Sequence, residues 1–291
     1  MPFRHLSSIW QTTRHRIDLS EPRIMGIVNV TPDSFSDGGK YLGVKAALAH
    51  AERLLDEGAH ILDIGGESTR PGSPPVPLEA ERERVMPVLE QLLKLGAAVS
   101  LDTYKAELMQ EALDMGVDII NDIWALRQPH AAEVIAQHPN CGVCLMHMHR
   151  NPQTMQSAPM SGNAVGEVVR FLQERAASLT GAGVQANRIV LDPGIGFGKT
   201  VEQNFELLAR QRELRTLGFP VLAGWSRKSS LGVVTGRDSA SSRVTASVAA
   251  ALIAVQNGAS VVRVHDVRAT ADALAVWAAT RGERQNAQFP A

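Results

Sequence analysis

The chain has 291 residues, of which 44% are hydrophobic and 20% are charged, and its formal net charge is -1. This composition is ordinary for a globular protein, and the nearly neutral charge offers no electrostatic footprint for nucleic acid or an anionic membrane surface. No stretch approaches the roughly 18 consecutive apolar residues of a membrane-spanning helix. We therefore expect a globular protein that binds neither nucleic acid nor a membrane.

Residues 1–20 contain no continuous apolar segment and no small-residue cleavage site, so they do not resemble a signal peptide. After them, short apolar segments alternate with longer amphipathic ones, which is typical of β-α units around a parallel sheet. Eight segments are predicted to be strands: 23–29, 61–65, 97–102, 117–122, 142–147, 188–192, 220–224 and 260–264. Because no low-complexity linker divides the chain, we predict one domain over residues 21–282, with an N-terminal extension before it and a tail over residues 283–291.

Helical patterns lie between the predicted strands, for example over residues 78–96 and 242–258. The second pattern ends on Gly258, and glycine is common just past the C-terminal end of a helix. Eight β-α units predict an α/β protein that forms a single (β/α)8 TIM barrel. An open doubly wound sheet is the alternative architecture.

Polar residues interrupt the apolar pattern at the end of every predicted strand. They are Asn29, Asp63, Asp102, Asn121, His147, Asp192, Ser226 with Lys228, and Arg263 with His265. The carboxyl ends of parallel barrel strands meet at one mouth, and barrel enzymes keep their active sites there. The sequence therefore predicts one functional site that combines carboxylates, amides and basic groups.

The only two cysteines, Cys141 and Cys144, have a C-x-x-C spacing. They belong to an apolar segment that is predicted to be a strand, where residues three apart point to opposite faces. We interpret them as buried core cysteines and not as a redox or zinc motif. Without a disulfide framework, the chain is expected to be cytoplasmic.

Two glycine-rich loops follow the first two predicted strands. The sequence NVTPDSFSDGG at 29–39 is long for a β-α connection, and long loops are often lids or binding loops. In GGESTRPGS at 65–73, two glycines let backbone approach a ligand and Arg70 offers a planar guanidinium for an anion. Ordinary surface loops are the alternative interpretation of both segments.

The segment DPGIGFGKT at 192–200 superficially resembles a nucleotide-binding loop. Pro193 stands where a Walker A loop has glycine, and proline has no N–H to donate to phosphate. Lys199 stands where a G-x-G-x-x-G fingerprint has its third glycine. The glycines on either side of Phe197 instead favour a flat aromatic ligand close to the backbone, with a tight turn as the alternative.

Two basic clusters follow the last two predicted strands, in GWSRKSS at 224–230 and RVHD at 263–266. They supply Arg227, Lys228, Arg263 and His265. Phosphate sites in barrels often form after these strands, so the clusters predict an anionic ligand in a protein that is otherwise neutral.

Seven motifs occur together and in one order: GIVNVTPDSFSDGG, DIGGESTRPGS, SLDTYKA, Met146-His147, LDPGIGFGK, SRKS and RVHDV. In this order they resemble the dihydropteroate synthase family over about residues 24–280. The resemblance implies a (β/α)8 barrel that joins 4-aminobenzoate to 6-hydroxymethyl-7,8-dihydropterin diphosphate. The products are 7,8-dihydropteroate and diphosphate, Mg2+ is the cofactor, and a homodimer is expected.

The resemblance also implies roles for individual residues. The implied substrate-binding residues are Thr69, Arg70, Asp102, Asn121, Met146, Asp192, Phe197, Lys228, Ser229, Arg263, Val264 and His265. Asp102, Lys228, Arg263 and His265 are the implied catalytic residues, and Asn29 is the implied magnesium ligand. Asp192 would accept from the ring amide and exocyclic amine of the pterin, since a carboxylate matches a two-donor edge.

Two other functions remain open at this point. A pterin-dependent methyltransferase domain would share the barrel and the acidic pocket, but it should lack the 29–39 loop and the SRKS cluster. A non-catalytic pterin-binding barrel should have lost Asn29, Arg263 or His265, and all three are present.

The bulky Trp225 departs from the family pattern and leaves the shape of the aminobenzoate subsite open.

Overall fold

The computed structural model describes residues 8–30, 39–69 and 72–281. An antiparallel hairpin of β1 (Ile9–Gln11) and β2 (Arg16–Asp18) comes first, and eight parallel strands follow. These strands are β3 (Arg23–Asn29), β4 (Ile61–Gly65), β5 (Ala98–Asp102), β6 (Ile119–Asp122), β7 (Gly142–Met146), β8 (Ile189–Asp192), β9 (Leu222–Ala223) and β10 (Val261–Val264). All eight predicted strands are therefore present.

Helices connect the strands and surround them. They are α1 (Gly39–Asp56), α2 (Leu78–Leu92), α3 (Ala106–Asp114), α4 (Ala131–Gln137), α5 (Ala164–Gly181), α6 (Val201–Ala209), α7 (Ser229–Thr235), α8 (Val244–Gln256) and α9 (Val267–Thr280). A capping box of Thr200 and Gln203 starts α6. Gly258 follows α8 with a φ of 92°, as its predicted capping role requires. None of the helices described is long and apolar enough to cross a membrane.

The eight strands are hydrogen-bonded in the order β8-β7-β6-β5-β4-β3-β10-β9. The two ends of this row also meet, because Leu191 forms a parallel bridge with Val221 and its N–H donates to Pro220 O at 3.0 Å. An open doubly wound sheet would leave both ends unpaired. The predicted (β/α)8 barrel is confirmed, with β9 shortened where Pro220 has no N–H to donate.

The lower barrel interior is a ring of eight apolar residues, one from each parallel strand. They are Met25, Ile61, Ala98, Ile119, Cys144, Val190, Leu222 and Val261. Trp10 of β1 is fully buried beneath this ring, and its indole N–H donates to Arg188 O at 2.9 Å. The hairpin within residues 1–20, for which the sequence suggested no role, therefore plugs the amino-terminal end of the barrel.

Asp118, just before β6, holds the hairpin in place. Its carboxylate accepts from the Arg14 side chain at 2.5 Å, the Thr12 hydroxyl at 3.2 Å and the Val99 N–H at 2.9 Å. Because Asp118 is fully buried, these charge-assisted bonds offset the desolvation of its carboxylate. The plug leaves the opposite, carboxyl end of the barrel as the mouth.

The two cysteines lie on opposite faces of the barrel wall, as predicted. Cys144 belongs to the inner ring, whereas Cys141 belongs to the apolar layer between strands and helices. Both are buried free thiols, and burial raises the pKa of each thiol. A raised thiol pKa leaves little reactive thiolate, which supports their interpretation as core residues.

Candidate active site at the barrel mouth

Strand register gathers the predicted polar residues in one layer. Asn29 of β3 pairs with Gly65 of β4, Gly65 pairs with Asp102 of β5, and Asp102 pairs with Asn121 of β6. Successive side chains of a strand point to opposite faces of the sheet. Residues that are paired across neighbouring strands point to the same face, so these paired residues share one face of the barrel wall. The structure thus brings together polar groups that are far apart in the sequence.

Arg263 lies at the centre of this layer. Its Nε donates to Asp63 Oδ2 at 2.6 Å, and its Nη2 donates to Asp102 Oδ2 at 2.8 Å. The Asn121 amide also donates to Asp63 Oδ2, at 3.3 Å. One planar guanidinium therefore bridges the carboxylates of two neighbouring strands, a geometry that a lysine could not reproduce.

The charges in this cluster depend on one another. Burial raises the pKa of Asp102, while the nearby Arg263 opposes that shift. The carboxylates of Asp63 and Asp102 raise the pKa of Arg263 above its ordinary value although burial acts the other way. The permanently charged guanidinium therefore keeps negative charge in a part of the barrel where an isolated carboxylate would be costly.

Asp192, at the end of β8, is buried and faces the same mouth. Its Oδ1 accepts from the Gly194 N–H at 2.7 Å, and its Oδ2 lies on the side of Gly224. Burial raises the pKa of Asp192, while the backbone bond and the cation of Lys228 lower it. One carboxylate oxygen is used by the protein, and the other is placed to accept from a ligand.

Lys228 lies against the glycine-rich turn that carries Phe197. Its Nζ lies 4.3 Å from the centroid of the Phe197 ring, a distance at which a cation-π contact forms. Burial lowers the pKa of Lys228 to about 8, while Asp192 opposes the shift. The preceding Arg227 has a left-handed backbone, with a φ of 60°, and its guanidinium pairs with Asp266 at 2.7 Å. The Asp266 carboxylate therefore occupies the guanidinium of Arg227, which the sequence predicted for an anionic ligand.

His265 completes the basic side of the mouth. Its Nδ1 lies 3.0 Å from the Ser226 hydroxyl, which also accepts from the His265 N–H at 3.1 Å. Burial and the neighbouring Arg263 lower the pKa of His265 to about 3, so the imidazole is neutral at pH 7. With the hydroxyl donating to Nδ1, the Nε2 atom carries the proton and can donate to an anion.

Met146 and Phe197, the predicted apolar walls, belong to one buried cluster. This cluster also contains Ile123, Met148 and Met155, with Tyr104 and Trp124 packed against it. Sequence reasoning did not single out these additional residues, because apolar residues after a strand end look like ordinary core. Trp225 is buried in the outer layer, 5.3 Å from Phe205, so its bulk does not narrow the mouth.

The remaining predicted residues lie at the rim or beyond it. Asn29 is exposed, Thr69 is half-buried, and Ser229 is exposed at the first position of α7. Val264 lies in the outer apolar layer, because alternation between the inward-facing Arg263 and His265 turns its side chain outward. Arg70 and residues 31–38 of the first loop lie outside the described residues.

A buried ionic cluster that the sequence did not reveal supports the second loop. Lys105 Nζ lies 2.6 Å from Glu67 Oε2 and also bonds Glu81 of α2. The Tyr104 hydroxyl donates to Glu67 Oε1 at 3.0 Å. Since Glu67 comes two residues before Thr69, this cluster fixes the start of the loop to the barrel.

The comparisons with known proteins agree with this geometry. The family described as "Pterin binding enzyme" matches residues 25–265, which span β3 to the end of β10 and so include every residue at the mouth. The chain therefore belongs to the pterin-binding enzyme family.

Similar proteins narrow the family further. The dihydropteroate synthase of Neisseria meningitidis serogroup B is 52% identical over 276 residues, covering 93% of this chain and 97% of its own length. A structure of the Xanthomonas albilineans dihydropteroate synthase with 4-aminobenzoic acid is 50% identical, with a TM-score of 0.88 over 94% of this chain and 98% of its own. The Burkholderia cenocepacia dihydropteroate synthase, complexed with 7,8-dihydropteroate, is 48% identical, with a TM-score of 0.85 over 96% of this chain and 98% of its own. Within the family, the chain belongs to the dihydropteroate synthases.

Proposed function

We propose that this chain joins 4-aminobenzoate to 6-hydroxymethyl-7,8-dihydropterin diphosphate, giving 7,8-dihydropteroate and diphosphate. The observation that carries this function is the bridge from Arg263 to Asp63 and Asp102, set beside Asp192 and Lys228 in a chain of this family. The pocket offers acceptors for the donors of a pterin and cations for a diphosphate. The complexes of the Xanthomonas and Burkholderia enzymes support both halves of the substrate assignment.

The pterin is proposed to lie across the polar layer. Asp192 Oδ2 would accept from the ring amide or the exocyclic amine, and the Asn121 amide would meet the neighbouring edge. Lys228 would donate to the ring carbonyl from above Phe197. Because two carboxylates already hold its guanidinium, Arg263 can offer a flat, preorganised surface to the ring without losing side-chain entropy on binding.

The bond changes follow from the charges around the methylene carbon. The aniline nitrogen forms the new C–N bond as the C–O bond to diphosphate breaks, and the nitrogen then loses one proton to the departing diphosphate or to water. Positive charge develops on the methylene and the reduced ring, where Asp102 stabilises it, and negative charge develops on the diphosphate, where neutral His265 donates from Nε2. The chemistry requires no covalent enzyme intermediate and no strong general base.

Mg2+ is proposed as the cofactor, held by Asn29. The donor set fits this ion, because Asn29 is exposed at the mouth and Mg2+ keeps several waters and uses few protein oxygens when it also binds phosphates. Water and diphosphate oxygens are proposed to complete the coordination of the ion. When bound, the ion would neutralise charge on the leaving diphosphate.

A coupled assay of diphosphate release tests the activity. We expect release only when 4-aminobenzoate and the pterin diphosphate are both present, and a strong dependence on added Mg2+. An Asn29→Ala variant should need more Mg2+ for half-maximal rate, since it removes the proposed ligand. Release that is independent of 4-aminobenzoate would show that the chain does not catalyse this condensation.

Pterin affinity is expected to fall as the pH rises from 7 to 9. The pKa of Lys228 is lowered to about 8, so its positive charge is present below that value and is lost above it. Calorimetric titration of 6-hydroxymethylpterin across this range measures the change. A Lys228→Met variant should bind more weakly at pH 7 and should show a smaller decline. An identical decline in the variant would mean that another group controls the effect.

Binding is expected to be ordered, with the pterin diphosphate first. Asp102, Asn121 and Asp192 lie at strand ends that the barrel holds in place, whereas Thr69 lies on a glycine-rich loop. Ordering that loop against diphosphate and Mg2+ would reduce the entropy cost of the second binding event. Labelled 4-aminobenzoate should bind at least about tenfold more tightly when pterin, diphosphate and Mg2+ are present. Equal affinity without them would show that its subsite is preformed.

Replacing Cys141 and Cys144 together by alanine is expected to leave the activity unchanged with or without dithiothreitol. Both thiols are buried and face different layers of the barrel. Some loss of stability is expected because the substitutions leave small cavities. Activity of the parent that responds reversibly to dithiothreitol, while the double variant does not respond, would indicate a redox role instead.

We also propose that the protein is cytoplasmic. The two free thiols support this location, because disulfides are rare in the reducing cytoplasm.

A homodimer is proposed through α7, α8 and α9. These neighbouring helices expose Val233, Val234, Ile253 and Val276, with Val276 leaving 68% of its surface accessible. We infer that these side chains form one apolar patch, because α8 packs against both α7 and α9, and a large apolar patch is typical of an interface. Sedimentation velocity should show a dimer for the parent and a monomer for an Ile253→Glu, Val276→Glu variant. Met115→Glu, which changes an exposed apolar residue elsewhere, is the control and should remain dimeric.

A further inference from the structure

The turn between β8 and α6 has an unusual backbone. Gly194, Gly196 and Gly198 have φ values of 67°, 83° and 71°, a region that residues with a side chain rarely adopt. A Cβ atom on Gly194 would lie 1.9 Å from His147 O, so the turn also presses directly against the end of β7. This turn supplies the N–H that Asp192 accepts, and it carries the ring of Phe197.

Lys199 lies at the end of this turn, and its side chain points back into it. The residue is only 3% exposed, and its Nζ lies 2.8 Å from Gly194 O and 3.2 Å from Phe197 O. It also lies 2.9 Å from His147 Nδ1. With His147 O at 3.3 Å, four acceptors surround the amino group, and the three N–H bonds of an ammonium can be shared among them. The turn therefore encloses the amino group of Lys199, which is a cation when it is protonated.

The surrounding groups are suited to receive that cation. Burial and the nearby cations lower the pKa of His147 far below its ordinary value, so its imidazole is neutral and can accept at Nδ1. His147 is also held edge-on by Phe171, with the ring centroids 4.9 Å apart. Burial lowers the pKa of Lys199 to about 7, while Asp192 favours its charged form. The hydrogen bonds and the nearby Asp192 together offset part of the cost of burying this amino group.

We propose that Lys199 is a positioning residue for the pterin half of the reaction. By holding the carbonyls of Gly194 and Phe197, it sets the Gly194 N–H against Asp192 and the Phe197 ring beneath Lys228. Lys199 then acts on the ligand through these groups and not by contact with phosphate, because its ammonium is buried among backbone acceptors. The inference rests on the proposed function, since the ligand that it positions is a pterin.

The test compares Lys199→Met, which removes every hydrogen bond of the amino group, with Lys199→Gln, which keeps two amide donors. Arg188→Met is the matched control, because Arg188 is also 3% exposed and donates to Cys141 O and Ile135 O, both at 2.8 Å, away from the mouth. Calorimetry with 6-hydroxymethylpterin gives the pterin affinity, and steady-state assays with saturating pterin diphosphate give the KM for 4-aminobenzoate. Urea unfolding gives the stability of each variant.

We expect Lys199→Met to weaken pterin binding by at least about tenfold, with the KM for 4-aminobenzoate within about twofold of the parent. The pterin affinity of Lys199→Gln should lie between those of the parent and Lys199→Met. Arg188→Met should lose stability but keep its pterin affinity. An unchanged pterin affinity in Lys199→Met, or an equal effect on both substrates, overturns the proposal. If Lys199→Met does not fold, Lys199→Gln is judged by the same two criteria. A parent that binds no pterin overturns the proposed function itself, and this inference with it.

Discussion

Arg263→Met is expected to lower the free energy of unfolding by about 3 kcal/mol or more, because it leaves two carboxylates in the barrel without their cation. Asp63 is fully buried and, among the residues that the structure describes, would keep the Asn121 amide, whose nitrogen lies 3.3 Å from Oδ2. Asp102 would lose the 2.8 Å bond to Arg263 Nη2. Urea denaturation at pH 7 measures the loss.

The pH dependence of the same variant gives an independent check. Without Arg263, the pKa of an unpaired buried carboxyl rises above its value in the unfolded chain. The folded state then binds more protons than the unfolded state, so the stability of the variant should fall as the pH rises from 5 to 8. A double variant with Asp63→Asn should lose less than the sum of the two single changes. Additive losses would show that the two side chains do not stabilise each other.

Asp192→Asn is expected to weaken pterin binding more than any other single change in the pocket. Gly194 N–H already uses one oxygen, 2.7 Å away, so the amide of the variant would turn its NH2 group toward the donors of the pterin. Hydrogen bonds to a charged group contribute about 1.5–3 kcal/mol each. Losing one and adding a donor-donor conflict predicts roughly a hundredfold loss of affinity, measured by calorimetric titration.

Asp122→Asn is the matched control for this prediction. Asp122 is also a fully buried strand-end carboxylate, and it accepts from the N–H groups of Trp124 and Leu126, both at 2.7 Å. Its register partner is Leu145 of the outer layer, so it faces away from the pocket. The control should lose stability but keep its pterin affinity. Retention of affinity within twofold by Asp192→Asn itself would show that this carboxylate is not the main pterin anchor.

Most of the site could be predicted from the sequence, for a simple geometrical reason. Short apolar segments that alternate with amphipathic ones show where the strands lie in the sequence. The carboxyl ends of parallel strands in a barrel must then meet at one mouth. Asp102, Asn121, Asp192, Lys228, Arg263 and His265 could therefore be assigned to one mouth without knowing any distance. Alternation also contained the signal that Val264, between Arg263 and His265, faces the outer layer.

Contacts between distant segments depended on the tertiary structure. The pair of Arg263 with Asp63 joins residues 200 positions apart, and no local pattern shows which of several strand-end carboxylates a guanidinium will bridge. The hairpin of residues 9–18 has no apolar run of its own, yet Trp10 closes the barrel floor. Its burial results from the ring of eight strands above it, which exists only after the sheet has closed.

The direction of a side chain in a turn was likewise decided by the folded chain. In the sequence, Lys199 only marks where a G-x-G-x-x-G fingerprint fails, whereas in the structure its Nζ points inward to Gly194 O and His147. The sequence by itself determined the eight strands and the chemistry at their ends, because these follow from periodicity along the chain. Only the tertiary structure decided which charges neutralise one another, because that depends on distances between segments that the sequence separates.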